Sequence, residues 1–293
     1  MKIEEILSIP PTILSQQQRE SYFENGYLLV SNAIKKNMLE SLRNTTRQLI
    51  EETRSLKESN AKWDLDPQHK PETPRLRRLS SPNDHHPIFW EFASTPPITD
   101  IVVDLLGPNI KFHHSKLNFK WADGGDRVKW HQDIQFYPHT NYNVLAIGVY
   151  LYDCNDDQGP LGVISGSHTG QLFNQYDKDG NWTGCLSDDD VKTLDFSKEV
   201  YLPGKAGSIT IHNCRTVHSS KPNQSPVSRP LLLNSYSSAD AIPYTADSLN
   251  SRYYQHLVRG HPVKWAEHDP RPCLMPPDWS SGYTSIFKHQ DKN

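Results

Sequence analysis

The sequence predicts a mainly β fold with flanking helices, an antiparallel barrel or jelly roll propped by a helical N-terminal third. Short runs rich in Val, Ile, Leu and aromatics crowd residues 110 to 236, with Gly, Pro, Asn and Asp between them. No strand–helix alternation joins those runs, so a parallel sheet is not expected. The clear helical signals all fall before residue 108.

The elements follow in order. Ser15 with Gln18 forms a capping-box signature and Gly26 a stop, which predicts a short helix and then a strand in YLLV at 27–30. Residues 37 to 58 carry Met38, Leu39, Leu42, Leu49 and Ile50 on one face, the pattern of an amphipathic helix. Residues 60 to 95 are rich in Pro, Arg and His without a period and are expected to form a long loop or lid. PPITDIVVDLLG opens on Pro and closes on Gly107, another helix. The β runs are IKFHHSKLNFKW (110–121), VLAIGVYLYD (144–153), LGVI (161–164), GSITIH (207–212) and RPLLLNSY (229–236). A single domain over 1–293 is expected, with 1–109 as helical support and lid, 110–240 as the core and 241–293 as an irregular arm packed on it.

Composition removes several function classes. A net charge of −3 argues against a general nucleic-acid binder. The apolar runs are only a few residues long, so no membrane-spanning helix is expected. The N-terminus is acidic and broken by Pro10 and Pro11, unlike a secretory signal. Cys154, Cys185, Cys214 and Cys273 are scattered without a Cys-x-x-Cys, which suits reduced thiols in a cytoplasmic protein.

The tripeptide His-Gln-Asp occurs twice, in RVKWHQDIQFYPH and in KHQDKN near the C-terminus. With 14 His and 22 Asp, roughly one His-x-Asp is expected by chance, so the surroundings must decide. His131 and Asp133 stand two apart in a strand-like run, which sends an imidazole and a carboxylate to the same face. A usable divalent-metal site needs a third ligand, and two His with one carboxylate leave positions open for other molecules. His218 follows His131 by 87 residues, on a stretch that a jelly roll folds back beside the first. Arg229, 11 residues further, opens the next run with a planar fork of donors able to grip a carboxylate through two hydrogen bonds. The second His-Gln-Asp has no strand, third ligand or arginine after it and is expected to be a solvated tail.

Together and in this order, these features resemble the phytanoyl-CoA dioxygenase family of Fe(II)- and 2-oxoglutarate-dependent oxygenases, which includes ectoine hydroxylase. The likeness runs from about residue 15 to 240 and also rests on ENGYLLV, on Ser220 two residues after His218, and on QGPLGVISGSH at 158–168. That last stretch is similar to the family's Asn-Gly-x-Leu-x-x-x-Pro-Gly-Ser-His turn, with Gln158 and Ser165 in place of its Asn and Pro. Residues 60–95 and the tail after 240 match nothing in that pattern. The resemblance implies a double-stranded β-helix of the cupin-like kind, with iron on His131, Asp133 and His218. It implies 2-oxoglutarate with its distal carboxylate on Arg229 and Ser220. The near end falls to Asn118 first, with Lys116 and Lys120 as alternatives, while Gln132 stands even between a cosubstrate contact and a hydrogen bond elsewhere. The implied reaction hydroxylates an unactivated C–H bond of a small molecule with dioxygen, releasing succinate and carbon dioxide. Related halogenases carry Gly or Ala in place of the carboxylate, so Asp133 favours hydroxylation.

Other residues are read more plainly. His168 is expected to be structural and His212 to be packing. His113 and His114 are adjacent on a strand, so at most one is expected to face the barrel interior, as a substrate or packing residue. SDDD at 187–190 lacks the spaced oxygens and glycine of a calcium loop and reads as a solvated loop or helix start. RLRR at 75–78 is expected to be a solvated part of the lid, with an anion-attracting cluster as the other reading. Two alternatives stay open: a jelly-roll protein that binds metal and 2-oxoglutarate without turnover, and a cupin-like metalloenzyme using no keto acid. No nucleic-acid or membrane partner is expected.

Overall fold

The structure, a computed structural model, describes residues 1–122, 127–279 and 286–290. Six helices precede the longest strand: α1 (Ile3–Ser8), α2 (Gln16–Asn25), α3 (Lys36–Glu52), α4 (Pro82–His85), α5 (Pro87–Ser94) and α6 (Ile98–Leu106). Two more follow, α7 (Asp188–Lys192) and α8 (Ile286–Gln290). The strands are β1 (Tyr27–Val30), β2 (Trp63–Leu65), β3 (Leu76–Ser80), β4 (Ile110–Lys120), β5 (Val128–His131), β6 (Val144–Tyr150), β7 (Leu161–Ile164), β8 (Glu199–Leu202), β9 (Ile209–Asn213), β10 (His218–Ser220), β11 (Arg229–Ser238) and β12 (Leu257–Arg259).

They form two antiparallel sheets. The larger runs β1-β9-β6-β11-β4-β3-β2, with β12 also on β4, and the smaller runs β5-β10-β7-β8. Alternation along the strands gives the large sheet two unlike faces. Leu117 and Phe119 of β4 and Leu232 of β11 are buried in one cluster with Leu42 and Leu49 of α3, Phe89 of α5 and Ile101 and Leu105 of α6. Each such side chain removed from water contributes about 1.5–3 kcal/mol, so this helix-covered face is where the fold is stabilised. The intervening residues Lys116, Asn118 and Lys120 of β4 point the other way, into a cavity between the sheets.

Local signals explain the helical support. Ser15 accepts from the Gln18 amide at 3.1 Å while Gln18 accepts from the Ser15 amide at 2.8 Å. Gly26 then ends α2 with φ +81°, a conformation that L side chains rarely adopt. The Asp104 carboxylate of α6 ties down the N-terminal segment, accepting from the amides of Thr12, Ile13 and Leu14 at 2.7–2.8 Å.

The structure corrects several expectations. The amphipathic helix stops at Glu52, followed by a 3₁₀ turn over Thr53–Ser55, short of residue 58. Residues 60–95 are not a loop, since they hold β2, β3, α4 and α5. RLRR is not solvated: Arg77 and Arg78 lie within β3, with Arg77 Nε 3.1 Å from Asp64 Oδ2 and Arg78 1% exposed. Burial of Leu76 and Leu79 on the same strand hid this pattern behind its charges. The tail at 286–290 is not solvated, because Phe287 and Gln290 are buried. Gln290 accepts from the Lys129 amide and donates to Gly184 O, both at 2.9 Å. Asp291 of the second His-Gln-Asp lies outside the described residues.

Candidate active site

His131 ends β5 and His218 opens β10, and the two are cross-strand partners, so pairing brings together residues far apart in sequence. Their rings lie 4.0 Å apart between centroids. His131 Nδ1 is 2.8 Å from Lys129 O, and His218 Nδ1 is 2.8 Å from Thr216 O. A carbonyl can only accept, so each Nδ1 carries the hydrogen and each Nε2 presents its lone pair. Asp133 Oδ1 lies 3.6 Å from His131 Nε2 and 3.7 Å from His218 Nε2. The ligand-capable atoms of the three residues lie within 4.8 Å of one another, the one such cluster among the described residues.

Asp133 reaches this position for a reason the strand pattern does not supply. It is not on β5 but starts a 3₁₀ turn over Asp133–Gln135, which carries its carboxylate back toward His131. Its other oxygen, Oδ2, accepts from the Tyr137 hydroxyl at 2.8 Å and lies 3.3 Å from His212 Nε2. Burial alone would raise the Asp133 carboxyl, but His218, His131 and His212 outweigh it and hold it well below the carboxylate range. Burial, then the neighbouring His131 and His212, keep His218 well below its ordinary value, hence neutral. Two imidazole lone pairs and one ionised carboxylate, buried and facing a cavity, are the donor set that suits a divalent iron with open positions.

The cavity runs from these residues along β4 and β11. Asn118, Ser220 and Arg229 line it. Arg229 is 4% exposed and, among the described residues, donates its Nε to Gln158 O at 3.3 Å and makes no other hydrogen bond. Lys120 is the cross-strand partner of Arg229, and its ammonium donates to the carbonyls of Ser220, at 3.1 Å, and Lys221. In the QGPLG turn a Cβ on Gly159 would sit 2.1 Å from Lys221 O, at φ +64°, so only glycine fits beside this end. Lys116, two residues before Asn118 on β4, lines the same cavity.

Gln132 is a correction. Its amide donates to Arg215 O at 2.7 Å and Gln171 O at 3.1 Å and accepts from the Phe173 amide at 2.9 Å. It holds loops together, lies off the cavity wall and leaves the cosubstrate set. His113 and His114 are another correction, because both line one chamber, with their Nδ1 atoms 2.6 Å apart. Ser235 pairs with His114 and Tyr236 with Phe112, leaving His113 as a bulge that breaks the alternation. Sequence reasoning also missed His212 and Tyr137 as partners of Asp133, and Arg78 on the chamber wall. His168 is structural as expected, its Nε2 3.0 Å from Phe23 O. All four cysteines are free thiols. Among the described residues no helix is long and apolar enough to cross a membrane.

With this geometry in place, comparison with known proteins is informative. The model of the family described as phytanoyl-CoA dioxygenase matches residues 22–231. A probable alpha-ketoglutarate-dependent hypophosphite dioxygenase of Stutzerimonas stutzeri is 28% identical, covering 95% of this chain and 97% of its own. An ectoine dioxygenase of Bordetella bronchiseptica is 24% identical, covering 78% and 76%. Among solved structures, EctD from S. alaskensis with bound Fe superposes with a TM-score of 0.68 at 20% identity, covering 92% of this chain and 93% of that one. That likeness supports the cupin-like jelly-roll fold.

Proposed function

The chain belongs to the phytanoyl-CoA dioxygenase family, and from that premise we propose that it hydroxylates a small molecule, with His131, Asp133 and His218 as its iron ligands. It is a 2-oxoglutarate-dependent non-haem iron dioxygenase, so the two alternatives without turnover or without a keto acid fall away. The observation that carries the assignment is the meeting of His131 Nε2, His218 Nε2 and Asp133 Oδ1 at one end of a cavity that Arg229 lines.

The protein's part is to hold and orient. Backbone carbonyls fix both imidazole tautomers, and Tyr137 and His212 hold the far oxygen of Asp133. Arg229 offers its remaining guanidinium hydrogens to the distal carboxylate of 2-oxoglutarate, with Ser220 beside it and Asn118 nearer the metal ligands. Leu231, Leu233 and Phe136 supply apolar stretches of the wall, which help to keep bulk water from the reacting atoms. Iron with 2-oxoglutarate, when bound, supplies the activation of dioxygen. One oxygen atom ends in the hydroxyl that replaces a substrate hydrogen. The other ends in succinate as 2-oxoglutarate loses carbon dioxide.

A second reading concerns the bond attacked. The Stutzerimonas relative is named for hypophosphite and matches nearly the whole chain. Insertion into a P–H bond of hypophosphite, giving phosphite, is therefore the first alternative to a C–H bond.

The test is an anaerobic titration of apo protein with Fe(II) and then 2-oxoglutarate, watching for the visible charge-transfer band of a chelated keto acid. Succinate release is then scored with small acids and with hypophosphite. Iron binding without the band would overturn the cosubstrate assignment. Hydroxylation retained by Asp133→Ala would overturn the iron ligand set.

A further inference from the structure

Part of the cavity wall comes from α8 rather than from a strand. Ile286 and Phe287 line it together with His131, Asp133, Asn118, Ser220 and Arg229. Phe287 is 2% and Gln290 3% exposed. A helix of five residues cannot hold itself in place, so its anchors decide where it sits. Gln290 is one anchor. β5 is an edge strand of the smaller sheet, and an edge leaves backbone groups to be satisfied. The Gln290 side chain accepts from the Lys129 amide of β5 and donates to Gly184 O, both at 2.9 Å. Phe287 is the other anchor, with the Arg77 guanidinium of β3 lying 5.1 Å from the centre of its ring. That cation is itself held, its Nε 3.1 Å from Asp64 Oδ2. β3 belongs to the larger sheet and β5 to the smaller, so α8 straps one sheet to the other beside the cavity.

The strap bears on a definite part of the cavity. Lys129 adjoins Val128, the cross-strand partner of Ser220. Arg77 adjoins Arg78, which pairs with Asn118 of β4. Two residues further along β4, Lys120 pairs with Arg229. Both anchors therefore stand next to residues assigned to 2-oxoglutarate, not only to the metal ligands.

Resting on the iron and 2-oxoglutarate assignment, we propose that α8 is part of the active site and sets the length of keto acid accepted there, with Phe287 as the wall and Gln290 as the residue that positions it. Arg229 and the metal ligands fix the two ends of the cosubstrate. A longer diacid must bow out between those fixed ends, and the Phe287 ring stands where it would bow.

The test compares two keto acids on the anaerobic Fe(II) protein, 2-oxoglutarate and 2-oxoadipate, which is one methylene longer. The charge-transfer band reports the affinity of each, and a chelating dye reports that of Fe(II). Wild type should bind 2-oxoadipate more weakly by about tenfold or more, the cost of one methylene too many in a closed pocket. Phe287→Ala should erase most of that difference and leave Fe(II) affinity unchanged. Gln290→Ala, which keeps the ring but frees its mount, should narrow the difference less. Phe287→Leu should give an intermediate ratio and serves if Phe287→Ala does not fold. Equal affinity for the two keto acids in wild type overturns the proposal and leaves the cosubstrate assignment standing. So does a ratio that the Phe287 variants leave unchanged. Lost Fe(II) binding in a folded Phe287 variant also overturns it, because α8 would then support the metal ligands instead. Absence of the 2-oxoglutarate band in wild type overturns both readings.

Discussion

The Tyr137 hydroxyl donates to Asp133 Oδ2 at 2.8 Å, while Oδ1 of the same carboxylate faces the Nε2 atoms of His131 and His218. One oxygen is thus held so that the other can serve as a ligand. Burial, then the Asp133 charge, keep the phenol well above its ordinary pKa, so it remains a donor at any working pH. Tyr137→Phe should therefore fold and yet bind Fe(II) about 10–100-fold more weakly, the usual cost of losing such a supporting bond. Competition against a chelating dye measures this. Unchanged affinity would mean that Tyr137 does not position the carboxylate.

Arg229→Ala should spare iron binding and weaken 2-oxoglutarate. A two-handed grip on a carboxylate uses charge-assisted hydrogen bonds worth about 1.5–3 kcal/mol each, so roughly a hundredfold loss or more is expected. The same anaerobic titration reads it. A normal 2-oxoglutarate curve would place the distal carboxylate elsewhere.

Much of this site was legible because ladder pairing and residue order carry it. Arg229 opens a strand whose composition announces it, whereas β5 and β10, which pair His131 with His218, are too short to stand out and were reached through residue order. What escaped depended on departures from regular period. The 3₁₀ turn moved Asp133 off the strand, and the bulge at His113 put two adjacent imidazoles on one wall. His212 reaches Asp133 across sheets, which no local pattern encodes. The charges of RLRR read as solvent-facing because the burial of Arg78 and the Asp64 partner of Arg77 exist only in the folded chain.

Asp104 offers a stability test away from the chemistry. It is 3% exposed and its carboxylate satisfies three backbone amides. Asp104→Ala leaves the buried Leu14 amide without an acceptor, at about 1–3 kcal/mol, while Thr12 and Ile13 are exposed and can turn to water. A loss of about 1–3 kcal/mol in urea unfolding is expected, with Asp104→Asn milder because one oxygen survives. A loss below about 1 kcal/mol would show that the N-terminal segment is held by its apolar contacts instead.

Lys116 gives stability a pH dependence of defined sign. Burial first, then the Arg78 charge, bring its ammonium down to about 8, while Asp133 pulls the other way. Between about 8 and the ordinary lysine value near 10.4 the unfolded chain holds a proton that the native protein has released, so Lys116 makes unfolding free energy rise with pH across that window. Below about pH 8 both states hold the proton and the contribution is level. Urea unfolding of the wild type and of Lys116→Gln on either side of about pH 8 reads the difference. Lys116→Gln should lack this rise, and two parallel profiles would show that the ammonium keeps its proton in the folded protein.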